Sequence, residues 1–168
     1  MDELEQLATL EPHARTPEAI CAAVAKTFRV KKTEVALLAT SGSLLKFLYP
    51  AELRTTGVIP LSSSAVAART ARTRRAELFN RFARVQHSSV FEVVKLGDAS
   101  DHTEVIQKLM SAPVFSPADE VLGVIQVSRK GRSAKSAGPD FTPEELGKLK
   151  SMAATVGTLI AQQKEKGQ

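Results

Sequence analysis

Between Ala112 and Ile160 the chain reads as a strand, a tight turn, a second strand, a polar loop and a capped amphipathic helix, and no other stretch restricts the fold as much. Val114 and Phe115 run into Ser116-Pro117-Ala118-Asp119, where proline pre-sets the first turn angle and a short acid bonds back to the backbone, so the chain reverses into a hairpin. Val121, Leu122, Val124, Ile125 and Val127 are mostly β-branched, and the run from Gly123 to Val127 is almost continuously apolar. Such a strand has little exposure on either face and belongs in the middle of a sheet. Gly123 inside it marks a bulge or a close approach of another backbone or a ligand, with packing the preferred reading. After the polar loop, Thr142 and Glu145 form a capping box with Pro143 at the first helical position. Leu146, Leu149, Met152, Val156, Leu159 and Ile160 then recur at helical spacing.

The remaining chain is long enough to surround that unit with one core. At 168 residues, 43% of them hydrophobic, it fits a single domain, and disorder is not indicated. No apolar run approaches the roughly 20 residues that span a bilayer, and the opening MDELEQLATLEPHAR is acidic rather than a signal peptide, so a cytoplasmic protein is expected. The single cysteine, Cys21, allows no internal disulfide and no thiol-based metal site. It lies at helical spacing with Val24 and reads as core.

From the N-terminus, Leu4, Leu7 and Leu10 mark a short amphipathic helix ending near Pro12, so residues 1–15 read as a helical extension. A second helix starts at Thr16, with Pro17 in its first turn and Ile20, Cys21, Val24 and Phe28 along one face. Glu34–Thr40 and Leu44–Tyr49 read as strands joined by a hairpin through Thr40-Ser41-Gly42-Ser43. Gly57–Leu61 reads as a short edge strand, because Pro60 cannot donate to a ladder. Ser62-Ser63-Ser64 offers an N-cap for a short helix over Ala65–Thr73, and Ala76–Asn80 reads as a further strand. Arg81–His102 carries no clear period, although Val90, Phe91, Val93 and Val94 require burial. Nothing alternates strand with long helix, so the fold class is α+β: an antiparallel sheet with terminal helices on one face.

This order resembles a GAF domain, a small sensory module. The resemblance covers Thr16 to Gln163 and leaves 164–168 as a polar tail. It rests on the LGVIQVSRK strand, the Phe141-Thr142-Pro143-Glu144-Glu145-Leu146 helix start, and the IPLSSSAVAARTARTRRAELFN segment. That last segment departs from the family where many relatives place a glycine, since Ser62, Ser63 and Ser64 stand there. The resemblance implies N- and C-terminal helices on one side of the sheet and a ligand pocket on the other. The motif of cyclic-nucleotide-binding members corresponds here to Arg129, Lys130, Phe141, Glu145 and Leu146, of which only part survives. Lys130 is expected to pair with Glu145 across the loop. Tetrapyrrole-binding members use a pocket cysteine with neighbouring aromatics, against one cysteine, one Tyr and no Trp here. The free methionine sulfoxide reductases of the family need several cysteines. No cofactor is indicated.

Charge supplies the remaining clue. Arg69, Arg72, Arg74, Arg75, Arg81 and Arg84 face only Glu77 between Ala65 and Val85, a net +5 equal to that of the whole chain. Arg69 and Arg72 share a helical face, and arginine's planar fork suits carboxylate or phosphate. Two readings follow: an anionic small ligand held by one or two of these arginines, or a solvated basic face. In the GAF layout the segment borders the pocket, which makes Ser64, Arg69, Phe79, Asn80, Arg84 and His87 the candidate ligand contacts. Nucleic-acid binding is not expected despite a pI near 9.5, for want of aromatics and of any known binding motif. His13, His87 and His102 have no partners at metal-ligand spacing, no nucleophile elbow or phosphate loop appears, and Gly131–Gly138 reads as linker-like sequence. Leu4 and Leu7 with Met152, Val156 and Leu159 have apolar surface enough to pair with a second copy, so a homodimer is expected. The function expected is non-catalytic: a regulatory module that binds a small ligand and signals to an effector protein. The alternative is a docking or dimerisation domain whose pocket is filled by Phe79, Phe82, Phe91 and Phe115.

Overall fold

A computed structural model of the chain describes residues 16–51, 57–82 and 105–166, with side chains to residue 162. Helix α1 (Pro17–Phe28) starts where the sequence places it: Thr16 Oγ1 accepts the Ala19 N–H at 3.1 Å. It ends on Arg29, whose left-handed backbone (φ 57°) returns its N–H to the carbonyls of Ala25 and Lys26. Strands β1 (Val35–Ser41) and β2 (Leu44–Tyr49) form the expected hairpin, with Gly42 at φ 60° in its turn. Glu34 falls just outside the strand. Its buried carboxylate accepts the Lys31 N–H at 2.8 Å and the Lys130 N–H at 2.6 Å, fastening the start of β1 to the end of the neighbouring strand.

Strand β3 (Val58–Pro60) is followed by helix α2 (Val66–Thr73), the short strand β4 (Glu77–Phe79), the long hairpin strands β5 (Val105–Phe115) and β6 (Val121–Gly131), and helix α3 (Pro143–Lys166). The expected serine cap of α2 is not made. Ala65 holds the N-cap position with no side-chain hydrogen bond there, and Ser63 Oγ instead accepts the Ala65 N–H at 3.3 Å. Ala65 is fully buried, so packing rather than a hydroxyl fixes where this helix begins.

The six strands run β3-β2-β1-β6-β5-β4, each neighbouring pair antiparallel. Strand β6 is central, as its continuous apolar run requires, and β3 is an edge. Pro113 sits in β5 beyond the last residue paired with β4, so its missing N–H leaves that ladder intact. At Gly123 an added Cβ would lie 1.9 Å from the carbonyl oxygen of Leu38 on β1: the glycine is there for close backbone packing.

Both faces of the sheet are covered. On one, α1 and α3 together bury Val35, Leu37, Met110, Ala112, Val114, Ile125 and Val127 beneath Ile20, Cys21, Val24, Leu149, Met152 and Val156. On the other, α2 covers Ala36, Leu38, Leu45, Phe47, Leu109 and Val124. This is the α+β arrangement expected, with both long helices on one side. Among the described residues no helix is long and apolar enough to cross a membrane.

Helix α3 opens on the predicted capping box: Glu145 Oε1 accepts the Thr142 N–H at 3.0 Å and Thr142 Oγ1 accepts the Glu145 N–H at 3.1 Å. Met152, Val156 and Leu159 are at most 2% exposed and lie in the chain's own core. The surplus apolar surface assigned to these three is therefore absent, because the sheet face absorbs the whole stripe. Leu4 and Leu7 lie outside the described residues. A feature the periodicity does not announce is Gly157, where a Cβ would stand 1.8 Å from the carbonyl oxygen of Phe115. The helix touches the end of β5 backbone to backbone. Gly157→Ala is expected to destabilise the fold by about 2 kcal/mol or more, whereas Gly147→Ala, in open space on the same helix, is expected to be neutral or stabilising by up to about 1 kcal/mol. Denaturant unfolding of the pair separates a packing requirement from simple helix propensity.

Candidate functional site

The described part of the arginine-rich segment folds into α2, the turn after it and β4, and three of its guanidinium groups, those of Arg69, Arg72 and Arg74, are already engaged. Arg69 pairs with Glu77 of β4 at 2.9 Å. Arg72 donates to the carbonyls of Leu61 and Ser63, the latter at 2.8 Å, tying the helix to the loop that precedes it. Arg74, left-handed at φ 61°, reaches across to the β5–β6 turn, where it donates to the Asp119 carboxylate at 2.9 Å and backbone carbonyl at 3.0 Å and lies 4.9 Å above the Phe115 ring. These contacts are exposed and each adds little stability, but together they orient the segment. Arg75 is exposed and forms no ion pair among the described residues.

Two clefts result. One of about 550 Å³ is lined by Arg69, Thr73, Arg75, Ala76 and Glu77. Here Glu77 Oε1 is buried without a hydrogen-bond partner among the described residues, while Oε2 holds Arg69. The other, of about 410 Å³, lies between the β5 end and α3.

Of the candidate contacts, Arg69 lines the first cleft and Ser64 is exposed ahead of α2. Phe79 is half-buried and meets the buried Phe82 edge to face, ring centres 5.9 Å apart. Asn80 is elsewhere. Its side-chain amide donates to the Phe141 carbonyl at 2.9 Å and accepts the Phe141 N–H at 2.8 Å, so both polar atoms are spent latching β4 to the entry of α3. Strand alternation explains the split: Phe79 packs with the α2-side core, whereas Leu78 and the Asn80 partner Phe141 belong to the α1/α3 side. Arg84, His87 and Phe91 lie outside the described residues.

Beneath α2, in the sheet face it covers, lies a buried polar group that the sequence reading passes over. Thr70 Oγ1 and Ser111 Oγ are 2.7 Å apart, and Gln126 Nε2 donates to Ser111 Oγ at 3.2 Å. The one polar residue in the GVIQV run was its signal. A second omission is a cleft of about 700 Å³ at the opposite end of the sheet, lined in part by Arg29, Lys31, Lys130 and Arg132. Its cations come from segments a hundred residues apart, which charge counting along the chain does not join. The adjoining Gly131–Gly138 loop is a hydrogen-bonded turn rather than a linker: Ser133 Oγ accepts the Ser136 N–H at 3.1 Å and the Ala137 N–H returns to the Ser133 carbonyl at 3.1 Å.

Glu145 also finds a different partner from the one expected. Arg129, not Lys130, approaches it, at 3.9 Å, while Lys130 Nζ donates to the Thr33 carbonyl at 3.0 Å. Alternation along β6 turns Arg129 toward the helices. There the buried guanidinium donates to the carbonyls of Phe28 and Pro139 and stacks 4.2 Å above Phe141. Beside it, buried Lys108 holds Asp140 at 2.9 Å. Three of the residues aligned with the cyclic-nucleotide motif, Arg129, Phe141 and Glu145, thus form a structural clasp between α1, β6 and α3. Among the described residues no group of three or more His, Cys, Asp or Glu side chains is placed to hold a metal ion.

Comparison with solved structures agrees with this architecture. The GAF domain of an Acinetobacter phosphoenolpyruvate-protein phosphotransferase superposes with a TM-score of 0.70 at 13% identity, over 96% of this chain and 90% of that one. The corresponding GAF domain from Coxiella burnetii gives 0.69 at 9% identity, over 98% and 94%. A free methionine-R-sulfoxide reductase from Neisseria meningitidis gives 0.65 at 12% identity, over 97% and 86%. No protein-family model matches the sequence, and no curated protein does. The chain is a GAF-like domain in fold.

Cys21 is fully buried on α1, and burial pushes its thiol well above the ordinary range, with Glu18 adding to the shift. A thiolate is therefore disfavoured at neutral pH. Folded protein is expected to resist iodoacetamide at pH 8 and to be alkylated at Cys21 only on unfolding, as mass spectrometry reads directly. Asn80→Ala is expected to cost about 2 kcal/mol, because it strands two backbone groups of Phe141 in a part-buried site. Thermal unfolding measures that loss.

Proposed function

We propose that the chain is a non-catalytic regulatory module that binds a small anionic ligand beside α2 and β4 and signals its occupancy through the terminal helices to an effector protein. The observation that carries the reading is the 550 Å³ cleft lined by Arg69, Arg75 and one carboxylate, Glu77, which is neutralised by Arg69 at 2.9 Å and so leaves the charge of Arg75 uncompensated among the described residues. That volume lies within the range of small-molecule sites, and Arg75 gives a carboxylate or phosphate a forked partner beside Arg69, whose pairing keeps the Glu77 charge from opposing an anion. The GAF-like fold, shared with domains of sensor and phosphotransferase proteins, supports a regulatory role. A non-catalytic reading draws on Cys21, the one thiol, which is fully buried on α1 and is not among the residues lining the cleft. Ser64, Phe79, Arg84 and His87 belong to the proposed contact set, although Ser64 and Phe79 are not among the residues that line this cleft and Arg84 and His87 lie outside the described residues.

Pairing of two copies belongs to the same proposal, with Leu4 and Leu7 as its apolar contacts, since the α3 stripe is already consumed by the core. The alternative of a filled pocket draws on Phe82, which is fully buried beneath α2 with Phe79 packed against it.

A thermal-shift screen with mono- and dicarboxylates and phosphate monoesters tests the reading. At least one is expected to raise the melting temperature, because a ligand bound only by the folded state stabilises it by mass action. Arg69→Ala and Arg84→Ala are each expected to weaken that ligand about tenfold by calorimetry without unfolding the domain. No stabilising anion in the screen, or unchanged affinity in both variants, contradicts it.

A further inference from the structure

The second cleft carries a ligand chemistry of its own. It lies between the outer end of β5 and α3, and its floor is apolar: Ala76, Pro113, Phe115 and Ala154. Its rim is cationic, formed by Arg74, Arg75 and Lys150, with no carboxylate in the lining. Arg74 is occupied by Asp119 and the Phe115 ring. Arg75 and Lys150 are exposed and, among the described residues, have no ion-pair partner. An apolar floor of this size beneath two uncompensated cations is complementary to a molecule with one anionic end and a compact hydrocarbon body.

We propose that this cleft is a second ligand site, for an amphipathic carboxylate, which adjoins the first cleft through Arg75 and Ala76 but takes its floor from β5 and α3 and is not lined by Arg69. The hydrocarbon would lie against Phe115, Pro113 and Ala154 while Arg75 and Lys150 hold the carboxylate. Burying the chain supplies affinity, and the two cations select the charged form over a neutral isostere. The site also has a mechanical consequence. Its walls belong to two elements, β5 and α3, that meet at the backbone contact between Phe115 and Gly157. An occupant touching both holds the helix seated on the strand and so stabilises the folded unit as a whole.

The probe is octanoate, with octanamide as the neutral isostere and acetate as the charge without the chain, titrated into the labelled full chain by two-dimensional NMR. Octanoate is expected to give saturable shifts at Ala76, Phe115 and Ala154, with octanamide and acetate at least about tenfold weaker. Ala154→Phe, which fills an exposed part of the floor, and Lys150→Glu, which reverses the rim charge, are each expected to weaken octanoate about tenfold or more while leaving the melting temperature close to wild type. Arg69→Ala is expected to leave octanoate binding unchanged, which separates this site from the first cleft. Acetate binding as tight as octanoate, shifts mapped elsewhere, no saturable shift, or wild-type affinity in Ala154→Phe and Lys150→Glu overturns the proposal.

Discussion

The structure depends on a strand that is dry on both faces. From Gly123 to Ser128 strand β6 is buried throughout, so its alternate side chains must each meet a protein layer rather than water. Ile125 and Val127 turn to the layer built by α1 and α3, and Val124 and Gln126 turn to the layer headed by α2. Sequence alternation alone thus calls for three layers, and its hydrogen-bonding edges call for β1 and β5 on either side. The close fit at Gly123 and Gly157 follows from the same demand, since in both places one backbone presses on another with no room for a methyl group.

Much of this arrangement is legible in the residues, for reasons that are local. The capping box at Thr142, the N-cap at Thr16 and the hairpin turn at Gly42 each concern groups within four residues of one another, and each appears where the pattern places it. The illegible parts are those decided between distant segments. The serines before α2 look like caps, yet burial of Ala65 sets the helix start. Asn80 looks like a ligand contact, yet strand alternation turns it to Phe141. Arg129 and Lys130 are neighbours in sequence and point to opposite sides of the sheet, so the expected partner of Glu145 was off by one residue.

The candidate site shows the same division. Counting charge along the chain finds the arginines of α2 and its turn, but not that Arg72 and Arg74 are committed to carbonyls and to Asp119 while Arg75 is not. Nor can it find the cleft beside Lys150, whose lining comes from α2's turn, β5 and α3. What distinguishes a binding arginine from a structural one is whether the fold has already supplied its acceptor.

If β6 organises a single cooperative unit, the helices laid over it should not open separately from the sheet. Native-state hydrogen exchange tests this most directly. The amides of Val124–Val127 and of Leu149–Val156 are expected to exchange only through global unfolding, with one common free energy and one common denaturant dependence. Exchange of the α3 amides at a distinctly lower free energy, with the β6 amides still protected, would show that the sheet stands without its helical layer and would contradict the account.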